Sequence, residues 1–273
     1  KKEISFFGRL QYSFMDRYLL TLTLRNDHSS RFSKDTRSGL FPSAAFAWKI
    51  NEESFMSNLD MFSELKLRLG YGITGQENLN QGPYPYLARY RQSQQGAFIQ
   101  WGTPFNFIPT WRPEGYDGQL KWEETTTYNA GLDYGLFNDR YYGSLDFYFR
   151  ETRDLINFIT VPAGTNLSNF ILTNIGNMEN KGVEFSIFTR PVVSRDFNWQ
   201  LGLNATWNDT KITKLTLSDD PSYPGVPEGF ISGGVGNRIQ IHSVDYAPFS
   251  FFVYEQVFDP EGNPIEGLYV DRN

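Results

Sequence analysis

The chain has 273 residues, a formal net charge of -6 and a pI of about 5.1. An acidic chain offers no basic footprint for a phosphate backbone, which sets nucleic acid aside as a partner. It has no cysteine, which excludes disulfides and thiolate metal centres, and no apolar run near the roughly 18 residues that a membrane-spanning helix needs.

One membrane architecture stays open. Hydrophobic residues make up 40% of the chain, yet mean hydropathy is only -0.46. Strands that alternate apolar and polar side chains average out in this way. Aromatic residues reach 17% and are mostly Phe and Tyr. They furnish interfacial girdles, but also large β cores and sugar-binding surfaces. The start, Lys1-Lys2-Glu3-Ile4, lacks the apolar segment of an export signal, so the sequence reads as a mature or truncated chain.

Period-two alternation begins at once. Gly8, Leu10, Tyr12 and Phe14 alternate with Arg9, Gln11 and Ser13. The short turn Met15-Asp16-Arg17 leads into a second strand, with Tyr18, Leu20, Leu22 and Leu24 set against Thr21, Thr23 and Arg25. A connection from Ser29 to Gly39 precedes a weaker strand over Leu40 to Ile50, with Pro42 near its start. Leu65, Leu67, Leu69, Tyr71 and Ile73 alternate with Lys66, Arg68, Gly70 and Gly72. The longest alternation places Leu120, Trp122, Glu124, Thr126, Tyr128, Ala130, Leu132 and Tyr134 on one face. Tyr141 to Phe149, Val183 to Ile187 and Trp199 to Trp207 continue the pattern.

Strand length, aromatic placement and connections then converge. Several strands run to roughly 10 residues or more, the length of a tilted bilayer crossing and above the 5–6 of soluble sheets. Trp199 and Trp207 share a face about 27 Å apart at the usual rise, and Trp122 and Tyr134 about 40 Å apart. At the usual tilt the longer span is roughly 30 Å along the membrane normal, so the aromatic pairs flank an apolar band about 25 Å tall. Short links at Met15–Arg17, Gly135–Asp139 and Pro191–Asp196 alternate with long ones at Ser29–Gly39, Thr74–Gly118, Gly164–Asn180 and Ile212–Pro248. The exception is Asn51–Ser63, longer than its side of the pattern predicts. The fold expected is all-β: a transmembrane antiparallel β-barrel, of which eight or nine strands form a partial arc.

The residues also resemble a known family, the SusC/RagA group of TonB-linked outer-membrane transporters. Asp16-Arg17-Tyr18-Leu19-Leu20 leads into Arg25-Asn26-Asp27-His28-Ser29-Ser30-Arg31-Phe32, which resembles the family's Asp-Gly-Ser-Ser-Arg-Phe stretch with His28 in place of Gly. Phe41-Pro42-Ser43 and Ala47-Trp48 follow in order, although Ser38 stands where a Trp is usual. Tyr71-Gly72-Ile73-Thr74-Gly75, Trp122-Glu123-Glu124-Thr125 and Asn129-Ala130-Gly131-Leu132-Asp133 are similar to later blocks. So are Gly135 to Arg140, Thr152-Arg153-Asp154-Leu155-Ile156 and Asn174-Ile175-Gly176-Asn177-Met178-Glu179-Asn180-Lys181-Gly182. Each block is weak alone; their order and spacing together are specific.

The resemblance implies a 22-stranded barrel closed by an N-terminal plug, with all of residues 1–273 in the barrel wall and the plug elsewhere. It implies an outer-membrane importer of oligosaccharides or peptides, surrounded by lipid and lipopolysaccharide. It also implies energy coupling to the TonB complex through an N-terminal region, and a SusD-like surface lipoprotein as lid. The alternatives are a structural or adhesive outer-membrane barrel and a soluble carbohydrate-binding β-protein.

No catalytic, cofactor or metal constellation stands out. His28 and His242 lie far apart in sequence, with no carboxylate cluster at ligand spacing. Glu123 and Glu124 are strand neighbours, so they point to opposite faces and cannot act as an acid–base pair; a lumen residue beside a loop residue is expected. Asp259-Pro260-Glu261-Gly262-Asn263 has oxygen ligands at alternate positions, but Pro264 replaces the glycine that a calcium loop needs, so a hairpin turn is expected. Gly233-Gly234-Val235-Gly236 lacks the helix and Lys-Ser/Thr of a phosphate loop. Asp271-Arg272-Asn273 resembles the start of an acidic loop in the family. The long loop is the suggestive stretch, combining Tyr84, Tyr86, Tyr90, Trp101, Phe105, Phe107 and Trp111 with Arg89, Arg91 and Arg112. Tyr84, Tyr86, Arg89, Trp101, Trp111 and Arg112 are the candidates for contact with substrate or lid. Its prolines predict no regular ladder through it, so it is expected to fold on itself or under a lid, with Trp101 and Trp111 as candidate anchors. Its expected role is capture rather than barrel stability, and shortening it should leave the barrel intact because loop length costs little.

Overall fold

The computed structural model describes residues 1–78, 82–93, 96–101, 106–162, 164, 168–216, 223–232 and 238–270. Phe105, the glycine run 233–236 and Asp271–Asn273 lie outside the described residues.

Eight long strands form one antiparallel sheet: β1 (Glu3–Phe14), β2 (Tyr18–Ser29), β3 (Ser38–Lys49), β4 (Phe62–Gln76), β5 (Glu123–Leu136), β6 (Tyr141–Arg153), β7 (Asn177–Val193) and β8 (Asn198–Lys214). They pair strictly in chain order. β1 and β8 are not paired with each other, so the sheet is an open arc. Strands of 12 to 17 residues fit the expected crossing length.

Register assigns each side chain to a face. Leu10 stands opposite Leu22, Phe46 opposite Leu69, Leu67 opposite Leu132, Ala130 opposite Phe147, and Val183 opposite Trp207. The apolar sets of all eight strands therefore merge into one continuous face. Leu203 and Trp207 on it are 61% and 59% exposed, far beyond what a soluble sheet tolerates over such an area. Its two margins are aromatic. Near the long loops, Tyr71, Tyr128 and Phe149 pack in a row, and Trp207 lies on the same face two strands farther along, opposite Val183. At the opposite margin, Phe14, Tyr18 and Trp48 pack in a second row, and Tyr141 and Trp199 hold equivalent places farther along. Between these margins Tyr134 lies across Gly143 and donates to the Ser186 carbonyl at 3.0 Å. A Cβ on Gly143 would strike both groups.

The opposite face is polar. Asp133 binds Lys66 at 2.9 Å and Arg68 at 2.7 Å, and Arg68 reaches on to Asp146 at 2.8 Å. This chain of charges crosses β4, β5 and β6. It passes over Gly131, where any Cβ would collide with Arg68 and Asp146. Nearer the short turns, Tyr142 stacks on Phe188 at 5.3 Å, with the Arg190 guanidinium 5.1 Å from the Tyr142 ring. Apolar outside and polar inside is the reverse of a soluble barrel and the pattern of a membrane one.

The connections divide as expected. Residues 15–17, 50–61, 137–140 and 194–197 link strands at one rim, and the long loops gather at the other. Tight turning puts Met15, Asp16, Phe137, Asn138 and Asp139 in the left-handed region. The longer 50–61 link has a physical reason. It folds into two turns of 3-10 helix and brings Glu53 beneath the outward-facing Tyr18 and Trp48. The Tyr18 hydroxyl donates to Glu53 at 2.5 Å, the Trp48 indole N–H at 3.0 Å and Arg17 at 3.3 Å. The tips of two interfacial aromatics are thereby satisfied by protein.

One expectation needs correcting. Leu120 and Trp122 do not extend the fifth strand, which starts at Glu123. Both are buried with Phe32 and Phe41 in a cluster under the long loops, so Trp122 is no girdle residue. Their alternation with the strand is coincidental: at these residues the chain has not yet entered the ladder, which begins at Glu123.

Candidate functional site

The long-loop rim is built around that cluster. Phe32 and Phe41 pack against Trp122 at 5.2 and 5.4 Å between ring centres. The indole N–H of Trp122 donates to the Arg37 carbonyl at 3.0 Å, and the Thr36 hydroxyl donates to the Leu120 carbonyl at 2.6 Å. Arg31 donates to the Glu77 carbonyl at 2.9 Å. Asn174 joins three segments, donating to the Lys121 and Asp154 carbonyls and accepting from the Lys121 N–H. Glu123 accepts the N–H of Ile156 at 3.2 Å; it and Glu124 hold consecutive ladder positions, opposite Gln76 and Gly75, and so part to opposite faces. Blocks that carried the family resemblance, from Asp27 to Phe32, at Trp122, around Ile156 and at Asn174, meet here. They tie the loops down.

On this base stand two outer segments. The long loop forms two short ladders, Tyr90–Gln92 with Trp111–Pro113 and Phe98–Trp101 with Asn106–Pro109. No regular ladder runs through the loop, but its prolines leave room for these two short ones: Pro109 and Pro113 each end a short strand, where a missing N–H costs little. The next loop forms a hairpin, Ile156–Thr160 with Phe170–Asn174.

Between the two lies a cleft of about 340 Å³. The long loop lines it with Arg89, Arg91, Arg112 and Glu114, and the hairpin with Phe158 and Phe170. Glu114 pairs with Arg89 at 3.3 Å and Arg91 at 3.5 Å. The two phenyl rings stack at 5.6 Å with only 8° between their planes.

Of the candidates named from sequence, Arg89 and Arg112 come together in this cleft. Tyr84 sits at a left-handed turn beside the buried Pro85 and does not line the cleft. Tyr86 is partly buried and packs on the cluster of Phe32, Phe41, Leu120 and Trp122, outside the cleft lining. Trp101 and Trp111 project from the ladders, 72% and 62% exposed, outside the cleft. Phe158 and Phe170 were missed. Their one sequence signal is a pair of five-residue β-prone runs, Ile156–Thr160 and Phe170–Asn174.

The remaining motifs resolve simply. The His242 ring packs edge-on to Phe249 at 4.5 Å, and no group of metal-binding side chains occurs among the described residues. Asp259 caps a turn: its carboxylate accepts the Asn263 N–H at 2.7 Å, which holds it below the ordinary range, and Gly262 takes the left-handed position.

The family model described as "TonB dependent receptor-like, beta-barrel" matches residues 1–258. The chain belongs to the β-barrel family of TonB-dependent receptors. The TonB-dependent receptor SusC of Bacteroides thetaiotaomicron is 49% identical over 270 residues, covering 99% of this chain and 27% of SusC. The TonB-dependent receptor P39 of Formosa agariphila is 36% identical over 269 residues, covering 94% of this chain and 23% of its own. This receptor barrel thus spans about a quarter of the length of these relatives. Among solved structures, the RagAB peptide importer in its closed-closed state superposes with a TM-score of 0.74 at 25% identity, over 96% of this chain and 28% of its own. Its open-open state gives 0.71 at 27% identity, over 94% and 26%. The receptor barrel is of the SusC/RagA type and resides in the outer membrane.

Proposed function

We propose that residues 1–273 form part of the barrel wall of an outer-membrane importer of oligosaccharides or peptides. In this reading the long-loop rim faces the cell exterior and captures substrate, and the short-turn rim faces the periplasm. A SusD-like lipoprotein covers the loops, while a plug and a TonB-contacting region outside this chain supply closure and energy coupling. The observation that carries the reading is the cleft of arginines and stacked phenyl rings, held by two loops above the polar face of a lipid-exposed arc. The likeness to SusC and to the RagAB peptide importer supports it.

The test uses cells carrying the full-length protein. A cysteine placed at the exposed Gln92 is expected to react with an impermeant thiol reagent from outside. Labelling that requires a broken outer membrane would invert the topology. Replacing residues 90–113 by a short linker leaves Tyr86, Leu120 and Trp122 in place. It should keep the barrel folded, because loop length costs little stability, and should abolish uptake or loosen the lid. Unchanged uptake and lid binding would exclude a capture role and leave a structural or adhesive barrel.

A further inference from the structure

We infer that the rim cleft selects an anionic ligand carried on rings, an acidic oligosaccharide, over a neutral one. This deepens the capture reading above and rests on it.

The first ground is charge. Arg91 and Arg112 stand directly opposite each other in a ladder only three residues long. Like charges directly opposite weaken a strand pair, and this pair is too short to hide the cost. Glu114 engages Arg89 and Arg91, and among the described residues Arg112 has no acidic partner. Three guanidinium groups therefore face one carboxylate, in a chain whose net charge is -6. The cleft reverses the sign of the protein around it. An anion bridging Arg91 and Arg112 relieves the repulsion, and the guanidinium fork suits a carboxylate or sulfate with two parallel hydrogen bonds.

The second ground is shape. Phe158 and Phe170 are stacked yet remain 56% and 47% exposed, so their paired rings present an apolar platform beside the arginines. A sugar ring has a flat C–H face to lay on such a platform while its carboxylate or sulfate reaches the guanidinium groups. An acidic peptide supplies the charge, but no rigid face to match the platform.

The experiment uses the full-length receptor, purified in detergent with any lipoprotein that accompanies it. Calorimetry compares oligogalacturonate and sulfated galactan oligosaccharides with malto-oligosaccharides of equal length and with an acidic peptide. At least one acidic sugar should bind about tenfold tighter than the neutral one, and the gap should close as salt is raised. Arg112→Ala should lose about tenfold for that sugar, one charge-assisted contact, with Arg112→Lys between the two. Phe158→Ala should weaken sugar binding without affecting the heat-resistant migration of the barrel. Equal binding of neutral sugar, preference for the peptide, or an indifferent Arg112→Ala overturns the inference. If neutral sugar or peptide binds and Phe158→Ala weakens it, capture at this cleft stands and only the choice of ligand falls. If none of the four probes binds, both fall.

Discussion

The two rims of the sheet are held by opposite devices. The short-turn rim is pinned by polar groups near the surface: Glu53 gathers one hydroxyl, one indole N–H and one guanidinium, and tight left-handed turns close the strands. The long-loop rim is held by a buried apolar cluster with Trp122 at its centre, and the arginines and phenyl rings of the cleft are not members of that cluster, although Leu172 touches both. Links of 3 to 12 residues have little surface to bury, so hydrogen bonds must fix them. A loop of tens of residues must bury something, or its conformational entropy keeps it open. On the proposed reading the difference separates holding from binding: at the long-loop rim Phe32, Phe41, Leu120 and Trp122 anchor the loops, and Arg89, Arg91, Arg112, Phe158 and Phe170 line the cleft.

The largest effect should come from the open edges. Expressed alone, residues 1–273 leave β1 and β8 unpaired, and unpaired strands do not persist in hydrocarbon. Size-exclusion chromatography in detergent should show aggregate. A monodisperse, heat-resistant species would mean that the edges close by a route absent from this fold.

Within the full-length protein, Trp122→Ala should cost about 3–5 kcal/mol in a denaturant series, because it empties the centre of the cluster. Trp101→Ala, at an exposed loop position, should stay within about 0.5 kcal/mol. Equal effects would erase the division between anchoring and presenting residues.

The stretch between the rims sharpens the comparison. Leu203→Arg, on the exposed apolar face, should cost about 2–4 kcal/mol in lipid vesicles, and Asn204→Arg, its neighbour on the polar face, far less. Similar costs would show that the faces are wrongly assigned.

The smallest effect belongs to the short-turn rim. The hydrogen bond from Tyr18, then that from Trp48, holds the Glu53 carboxyl below its ordinary range. A carboxyl depressed in the folded state adds stability that is fully present above its unfolded value, near pH 4.3 for Glu, and lost as pH falls through the folded one. Stability of the intact receptor should therefore decline on acidification below that point, and Glu53→Gln should flatten that part of the profile. An unchanged profile would show that the carboxylate is not what pins this rim.

Much of this was legible in the residues alone, for physical reasons. Period-two alternation is a local property, because each strand residue faces opposite to the next. The strands from Gly8 to Phe14, Tyr18 to Arg25 and Trp199 to Trp207, and the apolar face they share, therefore follow from the sequence. So does the division of turns from long loops, and Glu123 and Glu124 part for the same reason. The alternation that ran Trp122 into the fifth strand marks the limit of that signal, since period two does not say where pairing begins; only packing against Phe32 and Phe41 shows it. The candidate site was half legible. Arg89 and Arg112 could be named from composition, but the cleft needs Phe158 and Phe170 from another loop. Their approach is set by Asn174, Ile156 and the buried cluster, contacts made across tens of residues. Such contacts leave no period in the chain, so only the tertiary structure decided which of the loop's many aromatic and basic side chains would meet.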